Sequence, residues 1–223
     1  MKTRIDGAPA FAHLQVVLEP GEAIVAESDA MASMAADLQM RTRLNGGLVA
    51  ALLRRYLGGE SLFINRFHNT SSGPRRLTLV QPTPGDMRCR ELATGETYFL
   101  QPGAFLAADD TVKLGLKFAG LVSFIAREGL FKIAVTGPGR VWFGAYGALL
   151  ERAVDGELIV DTSHLVAYPP GISLKLQLAG GVISSVLGGE GLVTRVTGKG
   201  TIVIQTRSIT GLTGWLNPKL WKR

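Results

Sequence analysis

The chain has 223 residues, 46% of them hydrophobic, with 28 glycines and a formal net charge of +6. That is enough apolar material for a sizeable core, and the positive balance permits an acidic partner. Cys89 is the only cysteine, which excludes an internal disulfide and a cysteine metal cluster within one chain. No apolar stretch follows the charges of Met1–Asp6, so no signal peptide is visible. The run Gly47–Leu53 falls far short of the ~20 residues of a membrane-spanning helix. A soluble, cytoplasmic protein is expected.

Taken in order, the chain repeats itself. Gly21-Glu22, Gly95-Glu96 and Gly156-Glu157 each precede a short β-prone run: Ala23–Val25, Thr97–Phe99 and Leu158–Val160. A second apolar patch follows each: Ala30–Ala32, Ala104–Leu106 and Leu165–Ala167. Next come small helical or turn-like segments, Gly46–Leu53, Ala119–Ala126 and Gly180–Leu187. Leu48–Leu57 is the best helix candidate, with Leu48, Ala51, Leu52 and Tyr56 on one stripe and Gly58-Gly59 as its stop. A glutamate then opens what reads as a glycine hairpin: Glu60, Glu128 and Glu190. The intervals Glu22–Glu60, Glu96–Glu128 and Glu157–Glu190 are 38, 32 and 33 positions.

Landmarks in one order three times over predict an internal repeat. The fold class expected is mainly β: one compact domain of internally repeated β-sandwich units with short helices, three pseudo-equivalent units over about 14–82, 88–146 and 150–208, and a tail at 209–223. Such units share an interior, with a pseudo-threefold axis as the closed solution. Leu77–Val80, Thr111–Phe118 and Leu174–Leu178 alternate as strands with one wet face.

Motifs for chemistry are weak. Gly198-Lys199-Gly200-Thr201 lacks the first glycine and the hydroxyl residue of a phosphate loop, and Trp142 occupies the third glycine position of a dinucleotide fingerprint begun at Gly137. His13, His68 and His164 have no ligand spacing. Asp161-Thr162-Ser163-His164 reads as a polar turn rather than a triad. Glu22, Glu96, Glu157, Glu60, Glu128 and Glu190 read as scaffold residues satisfying turn amides. No catalytic residue, cofactor or metal is expected, and the protein is read as a non-enzyme.

The basic residues are the candidates for partner contact. Arg41 and Arg43 share a strand face, as do Arg88 and Arg90, and Arg54-Arg55 and Arg75-Arg76 add two pairs. Strand faces of this kind suit phosphates, either RNA or anionic lipid. The tail adds Trp215, Trp221 and Lys222, an amphipathic terminus for docking on a subunit or a membrane surface. The leading expectation is a non-enzymatic scaffold or interaction protein forming a homo-oligomer. The alternative is an acidic ligand, nucleic acid or anionic membrane, held by the arginine strands and the tail.

Gly46-Gly47-Leu48 with Leu53-Arg54-Arg55, then Gly58–Asn65, Gly95-Glu96-Thr97-Tyr98 and Gly188–Leu192, resemble a known pattern. Over about Leu14 to Thr206 the chain is similar to a bacterial and archaeal family related to the mitochondrial biogenesis protein of the altered-inheritance-of-mitochondria group. That resemblance implies a β-rich fold grouped with the tryptophan-RNA-binding attenuator protein, built by internal duplication and assembled as an oligomer. It implies no catalytic residues.

Overall fold

The computed structural model describes residues 1–44, 63–101, 103–118, 131–178 and 192–220. The strands in order are β1 (Lys2–Asp6), β2 (His13–Leu18), β3 (Ala23–Glu27), β4 (Met31–Met34), β5 (Gln39–Leu44), β6 (Phe63–His68), β7 (Arg75–Val80), β8 (Met87–Leu92) and β9 (Thr97–Leu100). They continue with β10 (Phe105–Asp109), β11 (Lys113–Phe118), β12 (Phe131–Thr136), β13 (Gly139–Gly144), β14 (Leu149–Asp161), β15 (Leu165–Tyr168), β16 (Ile172–Leu178) and β17 (Leu192–Gln205). One helix, α1 (Ile209–Leu220), follows. The helix candidates at 46–57, 119–126 and 180–187, and Glu60, Glu128 and Glu190, lie outside the described residues.

The protein is mainly β, in several sheets. One sheet runs β1-β2-β7-β4, a second β5-β6-β3-β10-β13-β8, and a third β11-β12-β9-β15-β17-β14 with β16 also on β17. The named pairings between strands are antiparallel. Alternation produces the layering. Leu14, Val16 and Leu18 of β2 are buried while their neighbours are wetter.

Instead of one interior there are three apolar clusters. The first lies between the four- and six-stranded sheets and holds Leu14, Leu18, Phe67, Leu77, Leu79 and Trp142. The second lies between the six-stranded sheet and the third, with Val25, Tyr98, Leu100, Val135 and Val141. The third joins Phe99 and Ala134 to Val160, Ile172 and Val196, all on the same sheet, which therefore folds back over its own face.

The glycine segments act differently from the hairpins expected of them. β12 and β13 do not pair; Gly137-Pro138-Gly139 carries the chain from one sheet to another, and Asn69–Pro74 does the same between β6 and β7. Asn69 holds the latter crossing: its buried amide donates to the Leu18 and Gly73 carbonyls, and its Oδ1 accepts from Ser71. Gly198-Lys199-Gly200 lies inside β17. Gly156 and Gly198 face each other in register, both with positive φ (106° and 127°), so the long β14–β17 ladder bends without breaking.

The glutamates divide accordingly. Glu22 accepts from the Glu19 amide at 2.8 Å and Glu96 from the Ala93 amide at 3.0 Å, the turn-capping role expected of them. Glu157 instead sits within β14 and pairs with Arg195 across the ladder at 2.7 Å, because no turn interrupts the strand there.

The Ala93 amide first, and the Arg90 guanidinium second, hold the Glu96 carboxyl below its ordinary value. A depressed carboxyl stabilises the fold above its unfolded pKa, and that contribution is lost as pH falls through the folded pKa. Glu96→Gln is therefore expected to lower the melting point by roughly 2–4 °C at pH 7, the effect of about one hydrogen bond. The deficit should shrink towards pH 3. Thermal scans across pH read it; a constant deficit would assign the loss to shape rather than charge.

Candidate anion-binding cleft

Among the described residues β5 is an edge strand, with β6 as its ladder partner. Antiparallel register places Gln39 opposite His68, Arg41 opposite Arg66 and Arg43 opposite Ile64. Directly opposed side chains project on one face, so two arginines and a histidine are gathered together. Thr42 Oγ1 donates to Asn65 Oδ1 at 2.7 Å, a cross-strand bond that supports this register. Gln39, Arg41, Arg66, His68 and Thr70 line a cleft of about 340 Å³.

Arg66 is fixed by Asp110, just beyond β10: Nε donates to Oδ1 at 2.8 Å and Nη2 to Oδ2 at 2.7 Å. These bonds raise the guanidinium pKa further above its ordinary value, against the opposing effect of burial. Arg41 is exposed, and no carboxylate of the described residues lies within ion-pair distance of it. Like charges directly across a ladder repel, and an anion between them relieves the repulsion. No carboxylate of the described residues lines the cleft. Thr70 Oγ, the Gln39 amide and the His68 ring add neutral hydrogen-bonding capacity.

The other arginines singled out in the sequence are dispersed. Arg75 donates through Nε and Nη2 to Asp37, at 2.6 Å from Nη2. Arg88 pairs with Glu151 at 2.7 Å and donates to the Leu149 carbonyl at 2.8 Å. Arg90 pairs with Glu96 at 2.9 Å and stacks on Tyr98 at 4.3 Å. Arg76 is exposed on β7, in a different sheet from β5. Arg41 and Arg90 share one register row of the six-stranded sheet, but at its opposite edges, roughly 24 Å apart at ~4.8 Å per strand. The paired arginine strands therefore do not form one basic surface. Arg43 continues the β5 row; Arg54, Arg55, Trp221 and Lys222 lie outside the described residues. Trp215 is exposed on α1.

Arg66 and His68 were missed in the sequence, although the alternation Ile64-x-Arg66-x-His68 was there to place them on one face. A second cation pair, Lys117 opposite Lys132, was also missed. Burial first, and then Lys117, lowers the Lys132 pKa; its Nζ lies 4.3 Å from the Phe99 ring and 5.2 Å from that of Tyr168. Asp161 caps a short 3-10 turn, accepting from the Ser163 amide at 2.8 Å and its hydroxyl at 2.7 Å, while His164 Nδ1 faces the Gln205 carbonyl at 2.6 Å. The serine hydroxyl thus points at the acid, as in a polar turn, and away from a base–nucleophile geometry. Among the described residues no group of three or more His, Cys, Asp or Glu side chains is placed to hold a metal ion, and no helix is long and apolar enough to cross a membrane.

The chain is similar to an uncharacterized protein of Streptococcus pyogenes serotype M6, 29% identical over 225 residues, covering 97% of this chain and 90% of that protein. It is also similar in fold to a Streptococcus pyogenes protein of known crystal structure, with a TM-score of 0.79, 28% identity and coverage of 98% and 99% of the two chains. A family model described as mitochondrial biogenesis AIM24 matches residues 3–207, which take in the three sheets and the cleft and stop short of α1. The chain belongs to the AIM24 mitochondrial biogenesis family.

Proposed function

We propose that the protein is a non-enzymatic interaction scaffold that receives an acidic group of a partner, a phosphate or carboxylate, in the cleft between β5 and β6. The observation that carries this is Arg41. Arg66, Arg75, Arg88, Arg90, Arg140 and Arg195 each have a carboxylate partner, and Arg41 has none among the described residues. At about 340 Å³ the cleft is at the small end of ligand sites, and its charged lining suits one acidic group presented on a larger surface.

The scaffold itself is read as three units of common pairing. Residues 13–80 pair β2 with β7, β3 with β6, β4 with β7 and β5 with β6. Residues 87–144 pair β8 with β13, β9 with β12, β10 with β13 and β11 with β12. In residues 149–205 the two halves of β14 and of β17, with β15 and β16, supply the same four contacts. Strands β3–β10 and β9–β15 join successive units. Self-association is part of the same proposal, because among the described residues β5 and β8 are the edge strands of the central sheet. Light scattering at micromolar concentration tests it, and a monomer there would remove it.

For the cleft, retention on heparin or a short RNA should fall steeply with salt. Arg41→Glu should weaken it at least tenfold, while Arg75→Glu, which breaks a satisfied pair, should change it less. Equal effects of the two reversals would point to net charge alone and would remove the cleft as the site.

A further inference from the structure

We propose that α1 lies flat in the interface of an anionic phospholipid bilayer and tethers the β-body to it. None of the helix's twelve residues is buried, and Ile209, Leu212, Trp215 and Leu220 are 49, 38, 61 and 64% exposed. At 100° per residue these four and Leu216 fall on one face about 140° wide, with Lys219 inside the same arc between Trp215 and Leu212. Thr210, Gly211, Gly214, Asn217 and Pro218 make the other face. The helix's side-chain polar contacts stay local: the Gly211 amide donates to Ser208 Oγ, Thr213 to the Ile209 carbonyl and Lys219 Nζ to the Trp215 carbonyl.

A helix of this length with two glycines and a proline is marginal in water, so it needs a surface to lie on. Charge selects the surface. From Arg207 onward the sequence has Arg207, Lys219, Lys222 and Arg223 and no acidic residue. Lys219 stacks 4.1 Å from the Trp215 ring centroid, which places a cation and an indole at one depth, as the boundary between headgroups and chains requires. At 1.5 Å per residue α1 is about 18 Å long, too short to cross a hydrocarbon core of about 30 Å. Its apolar face is small, so binding should need both anionic lipid and the apolar contacts.

The test uses the full chain with vesicles of phosphatidylglycerol or of phosphatidylcholine, read by cosedimentation and by tryptophan emission. Binding with a blue shift is expected on phosphatidylglycerol only, weakening as salt rises. Lys219→Glu should weaken it roughly 25-fold, two charge units at about fivefold each. The double change Trp215→Ala with Leu220→Ala should abolish it. Since no residue of α1 is buried, both variants should melt as the parent does. The double variant should keep the parent's retention on heparin, so failure here and failure of the cleft are separable. Absence of binding to phosphatidylglycerol, equal binding to both lipids, or a lipid-free oligomer dissolved by the same double change would overturn the proposal; the last would make a second copy the occupant.

Discussion

Trp142→Ala is expected to cost about 3–5 kcal/mol, the range for removing a large buried aromatic side chain. Trp142 is 1% exposed and is the largest fully buried side chain. It belongs to β13, whose ladder partners at this position are Cys89 and Ala107. It belongs to the cluster built mostly from residues 12–79, with Leu14, Leu18, Phe67, Leu77 and Leu79, which Met87, Leu106 and Ala107 also join. One face of the indole also receives the Arg140 guanidinium, 5.0 Å from the ring. The two sheets around it are tied by their own ladders, so little can collapse into the space left behind. At about 2–4 °C per kcal/mol for a chain of this size, the melting point should fall by roughly 6–20 °C. Phe11→Ala, at a side chain 74% exposed, should shift stability by less than about 0.5 kcal/mol and serves as the control. Denaturant unfolding of both variants decides; equal small losses would mean that Trp142 does not bridge the two sheets.

Gly85→Ala should cost about 2–4 kcal/mol, although it adds only a methyl group. Gly85 pairs with Gly147 in an isolated parallel bridge. Around it the Ala12 amide donates to the Gly85 carbonyl, the Asp86 amide to Gly147, the Gly147 amide to Pro84 and the Ala145 amide to Asp86. Gln81 Nε2 adds a bond to the Ala145 carbonyl at 2.9 Å. A Cβ on Gly85 would overlap the Ala145 carbonyl oxygen and crowd the Gly147 backbone. Only main chain stands there, so nothing can rotate aside; the bridge must open and take several of these bonds with it. Gly21→Ala meets open space, so only its backbone conformation is at issue (φ 82°). Its loss should be smaller, about 1 kcal/mol. Thermal melts of the two variants give the comparison, and a Gly85→Ala loss no larger than that of Gly21→Ala would contradict the bridge's role.

The individual strands were readable from alternation, as in β16, where Leu174 and Leu176 bracket Lys175, and in β7, where Leu77 and Leu79 are buried. What the glycines do was not readable. A bend inside β17 and a crossing between β12 and β13 use similar residues, and the difference lies in distant partners: Gly156 for the first, separate sheets for the second. The cleft depended on the same long-range information. Arg41 meets Arg66 only because β5 and β6 pair in one register, and Arg88 is neutralised by Glu151, 63 positions away. α1 was hidden for a local reason: Gly211, Gly214 and Pro218 argue against a helix, and none of its residues is buried.

The sharpest check on the cleft is the response of the arginine Nε–H NMR signals to inorganic phosphate. The signal of Arg41 should move most and saturate, with Arg66, already paired with Asp110, moving less, and Arg75, Arg88 and Arg90, which do not line the cleft, nearly still. Uniform small shifts at every arginine, or none at Arg41, would mean that the unpaired guanidinium at the β5 edge is only a solvated charge.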